Sequence, residues 1–274
     1  MNNYTIRPLT LADAPQAAAL WSLVFGDDEA LVREFFRIFA HTPHFGVCAE
    51  MNGTIAAAAY CPQGTDFVTP TGEIRKGAYL YAVATHPHHR KQGLAAKLCQ
   101  QLKDRVFAAG CSHLFTKPSE ESLYPWYEEK IDAVPTMGMQ SMTFARTDSE
   151  CISISPLTPN AYLLHRENAL RGQSYVRHSV EWMEWESLLH KAYGGGFCAV
   201  GNLIADYFSD GSTLQINELL PHPTAEEAKQ AAQALMYYTG TTHCTVTLFG
   251  EAHYVSAVTQ DEDLPTGWFG VCYG

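Results

Sequence analysis

The sequence predicts an α/β fold made of two similar halves, and three observations carry the prediction. Short apolar runs suited to strands interleave with longer stretches in which Ala, Leu and aromatic residues recur at helical spacing. An Asn52-Gly53 pair joins two of the apolar runs, supplying the positive φ that a tight hairpin needs. The order of elements in residues 1–147 then returns in residues 159–274.

The first half reads in order. "YTIRPLT" (4–10) alternates as a short strand, and "LADAPQAAALWSLVFG" (11–26) follows as a helix with Thr10 or Asp13 at its cap. "DEALVREFFRIFA" (28–40) is a second helix, with its acids in the first turn where the helix dipole favours them. "HFGVCAE" (44–50) and "TIAAAAYCP" (54–62) form the hairpin. "GAYLYAVAT" (77–85) is a third strand, and "QGLAAKLCQQLKDRVFAAG" (92–110) is a helix ending on a C-cap glycine. "CSHLFTK" (111–117) is a strand, "ESLYPWYEEK" (121–130) a short helix or turn, and "MGMQSMTFAR" (137–146) a closing strand. "TDSECISISPLTPN" (147–160), polar and with two prolines, reads as a connection, so 148–158 is expected to link a domain over 1–147 to one over 159–274.

The second half repeats the plan. "NAYLLHRENALRG" (160–172) and "VEWMEWESLLHKAY" (180–193) stand where the two N-terminal helices stood. "GFCAVGNLIADYF" (196–208) resembles the hairpin, and "TLQINELLPHP" (213–223) matches the third strand down to its closing His-Pro. A helix, "TAEEAKQAAQALMYYTG" (224–240), and a strand, "THCTVTLFG" (242–250), complete the set. The glycines at 194–196 precede a strand and read as a flexible turn. Trp182, Trp185, Leu188, Leu189 and Tyr193 recur at helical spacing, which suits core packing and equally suits the wall of a cleft between the halves.

Composition narrows the function. A net charge of −11 argues against broad binding to nucleic acid or to anionic membranes. No stretch reaches the roughly 18 consecutive apolar residues of a membrane helix, and the N-terminus has no secretory pattern. Eight scattered cysteines without a C-x-x-C pair read as buried free thiols in a reducing, cytoplasmic setting. His86, His88 and His89 crowd one loop without a carboxylate or thiol at ligand spacing, so no metal site is expected.

The informative stretch is "HPHHRKQGLAAK" (86–97). Here Arg90 and Lys91 precede Gly93 at a helix start whose first turn carries small Ala95 and Ala96. A helix N-terminus offers unpaired N–H groups and partial positive charge, which together suit phosphate. The matching point in the second half, "HPTAEEAKQA" (222–231), has no glycine and places Glu226 and Glu227 where a phosphate would be repelled.

Arg90-Lys91-Gln92-Gly93-Leu94-Ala95 fits [R/Q]-x-x-G-x-[G/A], the pyrophosphate signature of the GCN5-related N-acetyltransferases, and a strand and a helix flank it. The chain resembles that superfamily from residue 4 to about 145, and its second half resembles the degenerate copy of a tandem member. The resemblance implies a mixed, mostly antiparallel central sheet flanked by helices, the acyl-CoA N-acyltransferase fold. It implies transfer of an acetyl group from acetyl-CoA to a primary amine, by direct transfer in a ternary complex. The amides of Gln92, Gly93, Leu94, Ala95 and Ala96 would hold the pyrophosphate, with Arg90 and Lys91 beside it. Val83, Ala84 and Thr85 would pair with the pantetheine arm along a strand that splays from the next. "WYEEKID" (126–132) resembles the family's F-Y-E-K-x-G-F pattern, which makes Tyr127 the acid for the departing thiolate and Tyr124 its reserve.

The Gly-Phe of that pattern is replaced by Ile131-Asp132, and both tyrosines equally suit core packing. No base is assigned; Glu120 and Glu121 lie nearest in sequence. The apolar "GWFGVCYG" (267–274) is expected to dock inside, and by resemblance to double-domain members the Gly274 carboxylate is a further base candidate. The acceptor would be a small-molecule or peptide amine, and a homodimer is compatible with the sequence. The rival reading is a non-catalytic acyl-CoA sensor or scaffold, which Tyr127→Phe would leave unaffected.

Overall fold

The computed structural model describes residues 3–42, 44–147 and 152–271. The first half runs β1 (Thr5–Pro8), α1 (Ala14–Phe25), α2 (Glu29–Phe39), β2 (Gly46–Met51), β3 (Thr54–Tyr60), β4 (Thr65–Val68), β5 (Ile74–Arg75) and β6 (Gly77–Thr85). It continues with α3 (Leu94–Ala108), β7 (His113–Thr116), α4 (Tyr124–Ile131) and β8 (Val134–Ala145). The second half opens with β9 (Ile154–Leu157), α5 (Pro159–Ala169), β10 (Tyr175–His178), α6 (Val180–Tyr193), β11 (Gly195–Val200) and β12 (Leu203–Ser209). β13 (Thr213–Leu220), α7 (Ala225–Thr239), β14 (His243–Phe249) and β15 (Ala252–Thr259) complete it.

Twelve strands form one sheet in the order β1-β2-β3-β6-β7-β15-β8-β14-β13-β12-β11-β9. All neighbours are antiparallel except two pairs, β6 with β7 and β13 with β14. The predicted mixed, mostly antiparallel sheet flanked by helices is therefore present. The last strand of each half lies beside the last strand of the other: β8 pairs with β14 through seven residue pairs, and β15 pairs with both β7 and β8. The two halves thus share one sheet. The stretch 148–158, expected to be a linker, contributes edge strand β9, paired with β11.

Alternate residues of β3 divide between two cores, as the period of a strand demands. Ala58 and Tyr60 join a core that runs through both halves under α1, α2, α5 and α6, around Trp21, Phe35, Trp182 and Trp185. Ala57 and Ala59 face Leu98, Leu102 and Ile131 of α3 and α4. A third cluster packs Ala232 and Leu235 of α7 against β13 and β14. A small second sheet, β10-β4-β5, ties the halves together again through Tyr175↔Val68 to His178↔Thr65.

The glycines at 195 and 196 lie within β11 rather than in a flexible turn. A Cβ on Gly195 would stand 2.3 Å from Tyr207 O, so close strand approach is what requires glycine there. Thr10 and Asp13 close the short 3-10 turn Leu11–Asp13 that leads into α1, Asp13 Oδ2 accepting from Thr10 N at 2.8 Å and from Thr10 Oγ1 at 2.9 Å, while no side chain caps α1 itself. The described cysteines (48, 61, 99, 111, 198 and 244) are free and buried, as expected, while Cys151 and Cys272 lie outside the described residues. Trp268, Phe269 and Val271 are buried as the apolar terminus predicts, and Gly274 lies outside the described residues. Among the described residues no helix is long and apolar enough to cross a membrane.

Candidate active site

The site begins where β6 and β7 part. They run parallel through Gly77↔His113 to Leu80↔Thr116 and pair no further. Two residues later Ala82 takes φ +49°, a conformation that costs a residue with a Cβ on the order of 1 kcal/mol. The register against β3 shifts at the same place, between Ala58 and Tyr60. This bulge turns β6 away from β7. Ala84 and Thr85 still pair with Ala58 and Ala57 of β3, while from Tyr81 onward no strand among the described residues pairs with the opposite edge. Val83, Ala84 and Thr85 therefore border a gap that an extended ligand can enter.

Beyond β6 the chain makes a short turn over Pro87–His89, places Lys91 at φ +61° and Gly93 at φ +72°, and enters α3 at Leu94. Lys97 N donates to Gly93 O at 3.2 Å. Among the described residues no acceptor takes the amides of Gly93, Leu94, Ala95 or Ala96, and no side chain caps the helix. A Cβ on Gly93 would meet nothing within 4 Å, so the glycine is required by its φ and leaves the space before these amides open. Arg90 and Lys91 are exposed beside them, and Arg90 Nε ties the loop to the strand end by donating to Thr85 O at 3.3 Å.

The histidines of the loop serve its shape. His86 Nδ1 accepts from His88 N at 3.2 Å. Desolvation, with the neighbouring charges of His88, His89 and Arg90, lowers the His86 pKa. Tyr4, which sequence reasoning missed, pins the loop: its hydroxyl lies 2.8 Å from His89 Nδ1 and donates to Gln92 Oε1 at 3.0 Å.

At the divergence itself a cavity of about 340 Å³ opens between the halves. Its walls include Tyr81, Ala82, Val83, Thr116 and Tyr127 from the first half and Leu189 and Tyr193 from α6. Tyr127 is buried and hydrogen-bonds Thr116, the residue that closes the last β6–β7 pair. Burial above all, with Cys99 nearby, raises its phenol above the ordinary range, opposed only by the Thr116 bond, so Tyr127 keeps its proton at neutral pH. Tyr124 is placed otherwise: its hydroxyl donates to Tyr254 O at 3.0 Å and His253 O at 3.3 Å, on the backbone of β15. It does not line the cavity, and neither do Glu120 and Glu121, which are exposed.

Sequence reasoning also missed the far wall, formed by Trp21, Phe25 and Asp27. Asp27 Oδ2 accepts from Trp21 Nε1 at 2.6 Å, and Asp27 Oδ1 accepts from the Tyr193 hydroxyl across the two halves. One signal was present. Of the two adjacent aspartates, Asp28 caps α2 by accepting from Ala30 N, which leaves Asp27 without a helix to serve. A second cavity, of about 410 Å³, lies at the other end of β6 around Gly77 and Cys111, away from the α3 amides.

Comparison with known proteins agrees with this fold. No curated protein sequence matches the chain. A conserved protein of Enterococcus faecalis V583, described as a probable N-acyltransferase, shares the fold with TM-score 0.69 at 12% identity, covering 94% of this chain and 73% of its own. Eis1 of Mycobacterium abscessus is similar with TM-score 0.66 at 13% identity, covering 94% and 74%. A GCN5-related N-acetyltransferase of Kribbella flavida is similar with TM-score 0.65 at 15% identity, covering 94% and 71%. Residues 5–128 match the family model of the acetyltransferase (GNAT) domain, and they contain the splayed strand, the open helix start and Tyr127. Over residues 5–128 the chain therefore carries a match to the acetyltransferase (GNAT) domain, on the fold that the solved N-acetyltransferases share.

Proposed function

We propose that the protein is an N-acetyltransferase that moves an acetyl group from acetyl-CoA to a primary amine within a ternary complex. The observation that carries this reading is the continuity of three features: the acceptor-free amides of α3, the unpaired edge of β6, and the cavity holding Tyr127.

The amides of residues 93–96 suit the pyrophosphate of the substrate, with the helix dipole and the side chains of Arg90 and Lys91 adding positive potential. Gln92 stands in the same loop, oriented by Tyr4. Val83, Ala84 and Thr85 present backbone groups along the gap, where they pair with an extended pantetheine arm and polarise the thioester carbonyl. An amine in the cavity attacks after losing a proton to solvent; the C–N bond forms, the C–S bond breaks, and Tyr127 gives its hydroxyl proton to the departing sulfur.

A thermal shift tests binding: acetyl-CoA at 100 times its Kd adds about 2.7 kcal/mol of stability. Thiol release in the presence of amines tests turnover. Tyr127→Phe is expected to cut kcat by about 100-fold or more, the range of one general acid, while coenzyme affinity stays within about twofold. A variant with unchanged kcat removes the assigned role.

A further inference from the structure

The far wall of the cavity carries a charge that the transfer chemistry does not use. Asp27 follows Gly26, whose φ of +86° ends α1 and turns the chain toward the cleft. Its two oxygens accept from Trp21 Nε1 and from the Tyr193 hydroxyl, both neutral donors. Among the described residues no Lys, Arg or His lies within ion-pair distance of it. The other charged residue of the cavity, Lys117, is engaged elsewhere, with its Nζ 5.0 Å from the ring centroid of Tyr254. Aromatic surfaces flank the carboxylate: the Trp21 ring lies 5.6 Å from that of Tyr81 and 5.9 Å from that of Phe25. A carboxylate fixed by two donors, lacking a counter-ion and walled by aromatic rings, suits an ammonium on an alkyl chain.

That ammonium is not the reacting one. The attacking nitrogen must be neutral, and an unneutralised carboxylate beside it would hold it protonated. Asp27 also sits on the indole of Trp21, whose ring packs against Tyr81, whereas the proposed function sets the thioester along the backbone of Val83, Ala84 and Thr85. We infer that Asp27, held in place by Tyr193 of the second half, selects acceptors with two cationic amines, of which one reacts while the ammonium of the other rests on Asp27. This rests on the acetyltransferase reading and names its substrate class: a short diamine able to enter a cavity of about 340 Å³.

The experiment compares three amines of equal chain length in an acetyl-CoA thiol-release assay: 1,5-diaminopentane, pentylamine and 5-aminopentanoate. Wild-type protein should prefer the diamine to pentylamine by about 10- to 100-fold in kcat/KM, and 5-aminopentanoate should be poorest. Asp27→Asn should erase that preference, chiefly through the KM for the diamine, and keep the acetyl-CoA thermal shift. Tyr193→Phe, which only loosens the carboxylate, should reduce the preference part-way. Equal wild-type turnover of diamine and pentylamine overturns the inference alone, and if Asp27→Asn does not fold, the wild-type panel still decides. An Asp27→Asn protein that loses kcat equally with every amine makes Asp27 a base and also overturns it. Wild-type protein that binds acetyl-CoA yet turns over none of the three overturns the acetyltransferase reading itself.

Discussion

α3 and α7 begin at matching points of the fold and end up with opposite chemistry. Each follows a strand that runs parallel to a neighbour through four residue pairs, β6 with β7 and β13 with β14, and then leaves it. At α3 the cap is Gly93, and the amides before it are open. At α7 the helix closes on itself: Glu227 N donates to Thr224 Oγ1 at 3.3 Å, and Glu227 Oε2 accepts from Thr224 N at 2.8 Å. The strand gaps differ in the same sense. Beyond Leu80 and Thr116 lies the cavity with Tyr127, whereas beyond Ile216 and Val246 the space holds Trp268, 5.8 Å from the His222 ring and 6.5 Å from that of Phe249. Register sets Ala82 against Glu218, each two residues past the last pair. Ala82 bends the strand toward open space, while Glu218 binds Trp268 Nε1 at 2.6 Å, Arg166 Nε at 2.9 Å and the Tyr162 hydroxyl at 2.6 Å. A helix start and a diverging strand pair are therefore only an opportunity. Side chains at a few positions make one instance a ligand site and the other a core.

The strongest way to break this comparison is at the filled gap. Glu218→Ala leaves Arg166, fully buried, without its carboxylate, and the expected loss is about 3–5 kcal/mol in urea unfolding. Replacing both partners, as Arg166→Met with Glu218→Leu, should cost clearly less, because no charge is left unpaired. A loss below about 1 kcal/mol for Glu218→Ala would mean that the second gap does not depend on its plug.

The next test gives α3 the character of α7. Gly93→Glu places a carboxylate before the open amides, and acetyl-CoA affinity by calorimetry should fall by about 10- to 100-fold. Gly93→Ala is the control, since it shares the unfavourable positive φ, worth on the order of 1 kcal/mol, without the charge. Equal affinities for the two variants would remove electrostatics from the difference between the helices.

Local features of this fold were legible, and distant pairings were not. The helices, the Asn-Gly hairpin and the open start of α3 each follow from neighbouring residues, so periodicity and cap chemistry reveal them. β9 was hidden because Pro156 reads as a turn residue. It is tolerated because β9 is the last strand of the sheet, where a missing N–H interrupts no ladder on the outer side. The placement of β15 between β7 and β8 depends on pairings more than a hundred residues apart, which no local pattern encodes. The site divides the same way. Gly93 and Tyr127 are candidates that motifs suggest, while Asp27 and Tyr193, 166 residues apart, meet only because α1 and α6 face one core. The motif ranks Tyr127 above Tyr124, and helical phase separates them, turning Tyr124 to β15 and Tyr127 to the cavity beside Thr116.

The mildest test concerns the closed helix start. Thr224→Ala removes the cap of α7, and the expected cost is about 1 kcal/mol, with acetyl-CoA affinity unchanged. The pH dependence identifies the cause. The backbone N–H and then the hydroxyl of Thr224 lower the Glu227 pKa below its ordinary 4.5 in the folded chain. A carboxyl whose folded pKa is depressed adds stability above its unfolded pKa and loses it as pH falls through the folded one. The stability gap between wild type and Thr224→Ala should therefore be widest near about pH 6 and shrink toward about pH 3. Asp13 is lowered in the same direction, chiefly by its bond to Arg7, but it is present in both proteins and cancels from the difference. A gap that does not change with pH would remove the Thr224 hydroxyl from the stabilisation of the Glu227 carboxylate and leave that to the backbone N–H of residue 224, which both proteins keep.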